Sequence, residues 1–103
     1  MLNIDEYGNR FWKNAKGELH RIDGGPAIEW SSGTKEWFLN GKRHRIDGPA
    51  YEDVVGNKFW YLNGKFHRIN GPSIEHANGE RYWFIKGDQY IEESYWEKIG
   101  EIC

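Results

Sequence analysis

The sequence predicts a mainly β protein: an elongated, twisted antiparallel sheet of stacked β-hairpin units of about 23 residues, closed by a short C-terminal α-helix. Three observations carry that expectation. Trp37, Trp60 and Trp83 stand 23 residues apart, as do Gly33, Gly56 and Gly79. Asn-Gly pairs at 40–41 and 63–64 lie between runs rich in aromatic and β-branched residues, and both residues tolerate the positive φ that a tight hairpin demands. The last dozen residues then abandon this pattern for a helical one.

The unit reads G-x-x-x-W-x-x-N-G-x-x-H-R-x-D-G-P-A followed by six variable residues. A first copy occupies about 8–32, with Trp12, His20, Arg21, Asp23, Pro26 and Ala27; it is two residues longer, reading NAKG at its turn and DGGP after it. Copies at about 33–55 and 56–78 follow, nearly identical over NGKRHRIDGPA and NGKFHRINGPS. A partial copy at 79–90 keeps Gly79, Trp83 and Gly87 but has Tyr90 and Ile91 where the His-Arg pair belongs, and no proline. Proline in the DGPA segment fixes φ and withholds a ladder donor, so that segment is a second bend. From about 91 to 102, Ile91, Tyr95, Ile99 and Ile102 form a helical stripe, with Glu92 and Glu93 where the first turn favours negative charge. This helix is expected to cap the open end of the array. The whole of 1–103 reads as one domain.

Alternation along the strands puts Trp37 with Leu39, Trp60 with Leu62 and Trp83 with Ile85 on one face. Phe38, Phe59, Tyr61, Tyr82 and Phe84 fall on the other. Both faces are apolar, and a curled sheet with the Trp/Leu face inside reconciles them, leaving the other rings in a groove or under the helix. Six Trp and six Tyr compensate for a low overall apolar content, because each such ring buries a large area.

Net charge is −2, too acidic for a grip on long nucleic acid through many phosphates. The acid is concentrated in the tail, where Asp88, Glu92, Glu93, Glu97 and Glu101 face Lys98 alone. A single Cys103 excludes an internal disulfide framework and a cysteine zinc site. The opening MLNIDEYGNR has no apolar leader core and no run approaches spanning length, so a soluble, cytoplasmic protein without membrane partners is expected.

The W-x-x-N-G-x-x-H-R-x-D-G-P-A series resembles the variant of the MORN repeat found in small proteins of bacteriophages and large DNA viruses, over about residues 7–87. The acidic ending with E-E-x-Y-W at 92–96 is similar to phage examples. The resemblance implies a binding or scaffolding module rather than an enzyme. It further implies a phage-encoded inhibitor of host defence, acting in the bacterial cytoplasm by sequestering a small phosphorylated nucleotide or by blocking a host protein. Oligomer assembly through the sheet edges is the alternative.

The pairs His20-Arg21, His44-Arg45 and His67-Arg68 are the ligand candidates, with Phe38 and Tyr61 as neighbouring rings: arginine recognises phosphate bidentately and rings stack bases. Against this, a residue repeated in every unit serves first what every unit must do. Glu29, Glu52 and Glu75 recur in phase to pair with the arginines, and the histidines are expected to bond the backbone around DGPA or Asp23 and Asp47. Equivalent histidines about 10 Å apart cannot share one metal ion, so no metal or other cofactor is expected. Three copies of a His-Arg-Asp cluster also argue against a single active site. Variable positions point to a partner instead: Trp30, Phe66 and Arg43 are candidate protein contacts, as are Glu92 and Glu93 in the helix.

Overall fold

A computed structural model describes residues 1–102 of the chain; Cys103 lies outside the described residues, and so does the expectation attached to it. The molecule is elongated, 47 × 30 × 18 Å. Its strands are β1 (Leu2–Ile4), β2 (Arg10–Trp12), β3 (Ile28–Glu29), β4 (Lys35–Glu36), β5 (Phe38–Leu39), β6 (Lys42–Arg43), β7 (Tyr51–Glu52), β8 (Lys58–Phe59), β9 (Tyr61–Leu62), β10 (Lys65–Phe66), β11 (Ile74–Glu75), β12 (Arg81–Ile85) and β13 (Asp88–Tyr90), followed by α1 (Glu92–Ile102). Nine of them form one antiparallel sheet in the order β1-β2-β3-β4-β7-β8-β11-β12-β13. The pairs β5-β6 and β9-β10 are separate hairpins.

Register explains why so short a set of strands holds. Across the long sheet, Arg10, Glu29, Lys35, Glu52, Lys58, Glu75 and Arg81 stand opposite one another in turn, each charge facing its opposite. Each cross-strand pair contributes roughly 0.2–1 kcal/mol, and like charges there would oppose pairing. The other face of the same strands carries Phe11, Ile28, Glu36, Tyr51, Phe59, Ile74 and Tyr82. Glu36 is the exception in that apolar row, and its carboxylate is held by Trp30 Nε1 at 2.7 Å and Arg43 Nη2 at 2.7 Å.

The second and third units leave the long sheet at Trp37 and Trp60 and turn back through Asn-Gly hairpins. Asn40 (φ 48°) and Gly41 (φ 80°) form the first of these turns, Asn63 (φ 50°) and Gly64 (φ 81°) the second. In the last unit Lys86 (φ 49°) and Gly87 (φ 89°) take the same conformation between β12 and β13. A second kind of turn joins the long strands: Asp53 Oδ1 accepts the N–H groups of Val55, Gly56 and Asn57, closing β7 onto β8.

The bend at the tryptophans corrects the expected faces. Trp37 interrupts the ladder between β4 and β5, so the two-residue alternation does not run through it. Phe38, expected in a groove or under the helix, is only 9% exposed: it borders one groove but packs with Ala27 and Ile28, with Phe11, Leu19 and Trp30 against them. Leu39 and Leu62, expected inside, line grooves on the outer surface. Ala27, Ala50 and Ser73, which follow the prolines, are wholly buried. Their backbones bridge the tryptophan of one unit to the strand beyond, as in Trp37 N–H to Ala50 O and Ala50 N–H to Phe59 O, both 2.8 Å.

The helix begins one residue later than the stripe suggests. Of the expected stripe, Tyr95 and Ile99 are buried, forming a second cluster with Ile85, whereas Ile91 and Ile102 are exposed. No helix among the described residues is long and apolar enough to cross a membrane.

Candidate binding face

The three arginines share one geometry. Each guanidinium lies over the tryptophan ring of its own unit: Arg21 over Trp12 at 3.8 Å, Arg45 over Trp37 at 3.8 Å and Arg68 over Trp60 at 3.9 Å. Each Nη1 donates to the carbonyl of the following proline, Pro26, Pro49 or Pro72, at 3.0–3.1 Å. Each Nε donates to Asp23, Asp47 or Asn70. The in-phase glutamates complete the clasp, with Arg68 to Glu75 at 2.7 Å, Arg45 to Glu52 at 3.2 Å and Arg21 to Glu29 at 3.7 Å. The glycine before each proline makes room: a Cβ on Gly25, Gly48 or Gly71 would lie 2.6–2.8 Å from the guanidinium carbon. Asp23 is held below the usual carboxylate range, first by its hydrogen bond from Arg21.

The histidines tie units together. Nδ1 of His20 accepts the backbone N–H of Asn40 at 2.9 Å, Nδ1 of His44 that of Asn63 at 3.0 Å, and Nδ1 of His67 that of Lys86 at 2.9 Å. The donor in every case is the left-handed residue of the next hairpin turn. The expected bonds to DGPA or to the aspartates are therefore replaced by a latch across the unit boundary, and the aspartates serve arginine instead. Burial, with the charge of Lys86 beside it, pushes the His67 pKa below its ordinary value.

These contacts leave the His-Arg pairs facing inward as scaffold. The arginine side chains are only 19–22% exposed, and the Nε and Nη1 of each are engaged within its own unit. Among the rings proposed for ligand stacking, Phe38 is in the core and Tyr61 stacks on Phe66 at 4.4 Å. The protein-contact candidates divide. Trp30 is half-buried edge-on to Phe11, Phe66 is wedged between Tyr61 and Phe84, and Arg43 pairs with buried Glu36. All three thus have contacts within the fold, although Trp30 and Phe66 stay half-buried and the Arg43 side chain is 41% exposed. Glu93 is exposed; Glu92 is too, accepting from Trp96 Nε1 at 3.3 Å and bordering a polar cleft with Arg68, Arg81 and Trp83.

The surface that remains open lies beside the clasps. Consecutive His-Arg-Ile loops border two grooves. One, of about 440 Å³, is lined by Ile22, Trp37, Leu39, Arg45, Ile46 and Asp47 among others. The second, of about 340 Å³, repeats it one unit on with Ile46, Asp47, Trp60, Leu62, Arg68 and Ile69. The ridges between them are the isoleucines, 82% exposed at Ile22, 83% at Ile46 and 50% at Ile69. The sequence unit leaves that position unassigned, between Arg and Asp. Its signal was the same apolar residue after every His-Arg pair.

No known protein family, curated protein or solved structure matches the chain. The likeness to MORN-type units rests on the repeated residues alone. Among the described residues no group of three or more His, Cys, Asp or Glu side chains is placed to hold a metal ion.

Proposed function

We propose that the protein is a non-enzymatic interaction module that holds a protein partner against the face ridged by Ile22, Ile46 and Ile69. The observation that carries this reading is the exposure of those three side chains. Every other residue type that recurs through the units has a contact to explain it: tryptophan lies under arginine, arginine on the proline carbonyl, histidine on the next turn, glycine beneath the guanidinium. Ile22 and Ile46 are more than 80% exposed and Ile69 is half-exposed, and a row of large apolar side chains in water favours association. The inhibitory role implied by the viral resemblance fits a module that occludes a surface of a host protein with this face.

Sequestration of a nucleotide has weaker support, since the clasps hold two of the three nitrogens of each guanidinium, Nε and Nη1. Oligomer assembly draws its support from β1, an edge strand whose three residues are all exposed. Selection of a displayed random peptide library on the wild type tests the leading reading, with Ile46→Asp and Ile69→Asp as counter-targets. Enriched peptides should lose binding to both variants. Peptides that bind the variants as well as the wild type would place recognition elsewhere.

A further inference from the structure

We propose that the occupant of this face is a polyproline II segment with an apolar side chain at every third residue and a basic residue over Asp47. This rests on the interaction-module reading above and names its partner chemistry.

Spacing selects the conformation. Each unit adds two strands to the long sheet, so equivalent grooves lie about 10 Å apart, twice the interstrand distance. A polyproline II chain has three residues per turn and a rise of 3.1 Å, which brings same-face side chains to about 9.3 Å. The two residues between them point away, so nothing meets the isoleucine ridge. An extended β-strand repeats its face every ~6.7 Å, and its second side chain lands on the ridge. An α-helix returns to the same face after seven residues, about 10.5 Å, but its residues at three and four lie between and also meet the ridge.

Hydrogen bonding points the same way. The His44 and Arg45 N–H groups already donate to Trp37 O and Tyr61 O, at 3.1 and 3.2 Å. An added strand would find those two donors already taken, which favours recognition by side chains in grooves, the mode by which polyproline II ligands are bound.

Charge supplies the basic residue. Arg45 sits between two carboxylates, Glu52 and Asp47, and Asp47 is the outer one, with its side chain 86% exposed. Asp47 borders both grooves, and its Oδ2 accepts no hydrogen bond among the described residues. The third unit has Asn70 at the equivalent place, so the acidic rim fades along the row and gives a bound segment one preferred direction.

The test is fluorescence anisotropy with a labelled proline-rich peptide of about twelve residues, long enough to cross both grooves, with leucine at every third position and one central arginine. Two comparison probes are a peptide of the same composition with leucines at every second position and an alanine-rich helical peptide with leucines seven apart. The first probe should bind in the micromolar range, at least tenfold more tightly than either comparison. Ile46→Asp should weaken it at least tenfold. Asp47→Asn should weaken it several-fold and remove most of its salt dependence while the clasp stays closed, because Asn70 accepts from Arg68 Nε at 3.1 Å in the third unit and the Arg45–Asp47 ion pair is exposed. Thermal melts confirm that both variants at these exposed positions remain folded. Binding unaffected by Ile46→Asp overturns the proposal, as does tighter binding of either comparison probe. If a comparison probe binds in an Ile46-dependent manner, the interaction face survives and only its partner's conformation is wrong. Failure of all three probes also overturns the proposal, and the library selection then decides whether the face is a site at all.

Discussion

Replacing Arg45 by alanine separates a scaffold arginine from a ligand arginine, because the two roles predict opposite effects on the unliganded protein. The guanidinium covers Trp37, which is 8% exposed, and a desolvated cation–π contact is worth about 1–2 kcal/mol. Its bond to Pro49 O, part-buried at 3.0 Å, leaves an unsatisfied carbonyl when lost, for about 1–3 kcal/mol. The ion pairs with Asp47 and Glu52 are partly exposed and add little. The expected loss is about 2–4 kcal/mol, at least ~8 °C in Tm for a domain of this size, read by circular dichroism or tryptophan fluorescence. Gly48→Ala supplies an independent check. Its new Cβ, 2.7 Å from the guanidinium carbon, would swing the side chain off Trp37. That substitution should therefore be costly in the wild type and nearly neutral in the Arg45→Ala background, a coupling that a double-mutant cycle measures. An Arg45→Ala protein that melts within about 3 °C of wild type would refute the clasp.

The His67 latch makes stability depend on pH. The folded pKa lies below the ordinary 6.5, so the unfolded chain binds the proton more readily; the contribution is fully present above about 6.5 and is lost as pH falls toward the folded value. Melts at pH 8 and about 5.5, above the carboxylate range, should show a fall in Tm, and His67→Gln should reduce the difference. Lys86 adopts φ 49° where the other hairpins have asparagine. Lys86→Gly should stabilise the protein by roughly 0.5–1 kcal/mol in urea unfolding, since the backbone N–H that His67 accepts is retained.

Much of the architecture was legible because it is local and repeated. The period of Trp37, Trp60 and Trp83 announces the array, and Asn40-Gly41 requires a turn by its conformational freedom alone. The arginine–glutamate pairs followed from their common phase. The histidine partners did not, because Asn40 is twenty residues from His20 and the contact exists only once units are stacked. The faces were misassigned at Phe38 and Leu39 because the strand breaks at Trp37, and a period of two cannot signal its own interruption. The isoleucines were missed for a different reason. The unit leaves the place between Arg and Asp open, and nothing local in the sequence says that Ile22 and Ile46 turn outward.

How the array stops is a matter of substitution, and it can be tested. In the fourth unit Tyr90 and Ile91 replace the His-Arg pair, so Trp83 lacks the guanidinium that covers Trp12, Trp37 and Trp60. The helix supplies rings instead, Tyr95 at 5.0 Å and Trp96 at 5.7 Å from Trp83. The Tyr95 hydroxyl donates to Arg68 O and accepts the Gly71 N–H, fastening the cap to the third unit's own clasp loop. Tyr95 and Ile99 are the helix's buried side chains, each worth about 1.5–3 kcal/mol when fully buried. Ending the chain at Tyr90 should therefore remove up to about 6 kcal/mol, a large part of a typical total of 5–15. Tyr95→Phe keeps the ring over Trp83 and loses only the hydroxyl bonds, so its cost should be nearer 1–2 kcal/mol. Since neighbouring units support one another, the truncated chain should lose hydrogen-exchange protection first at β12 and β13 and then inward. A truncated chain with wild-type Tm and unchanged protection in β12 would show that the helix is an appendage and that the sheet closes its own end.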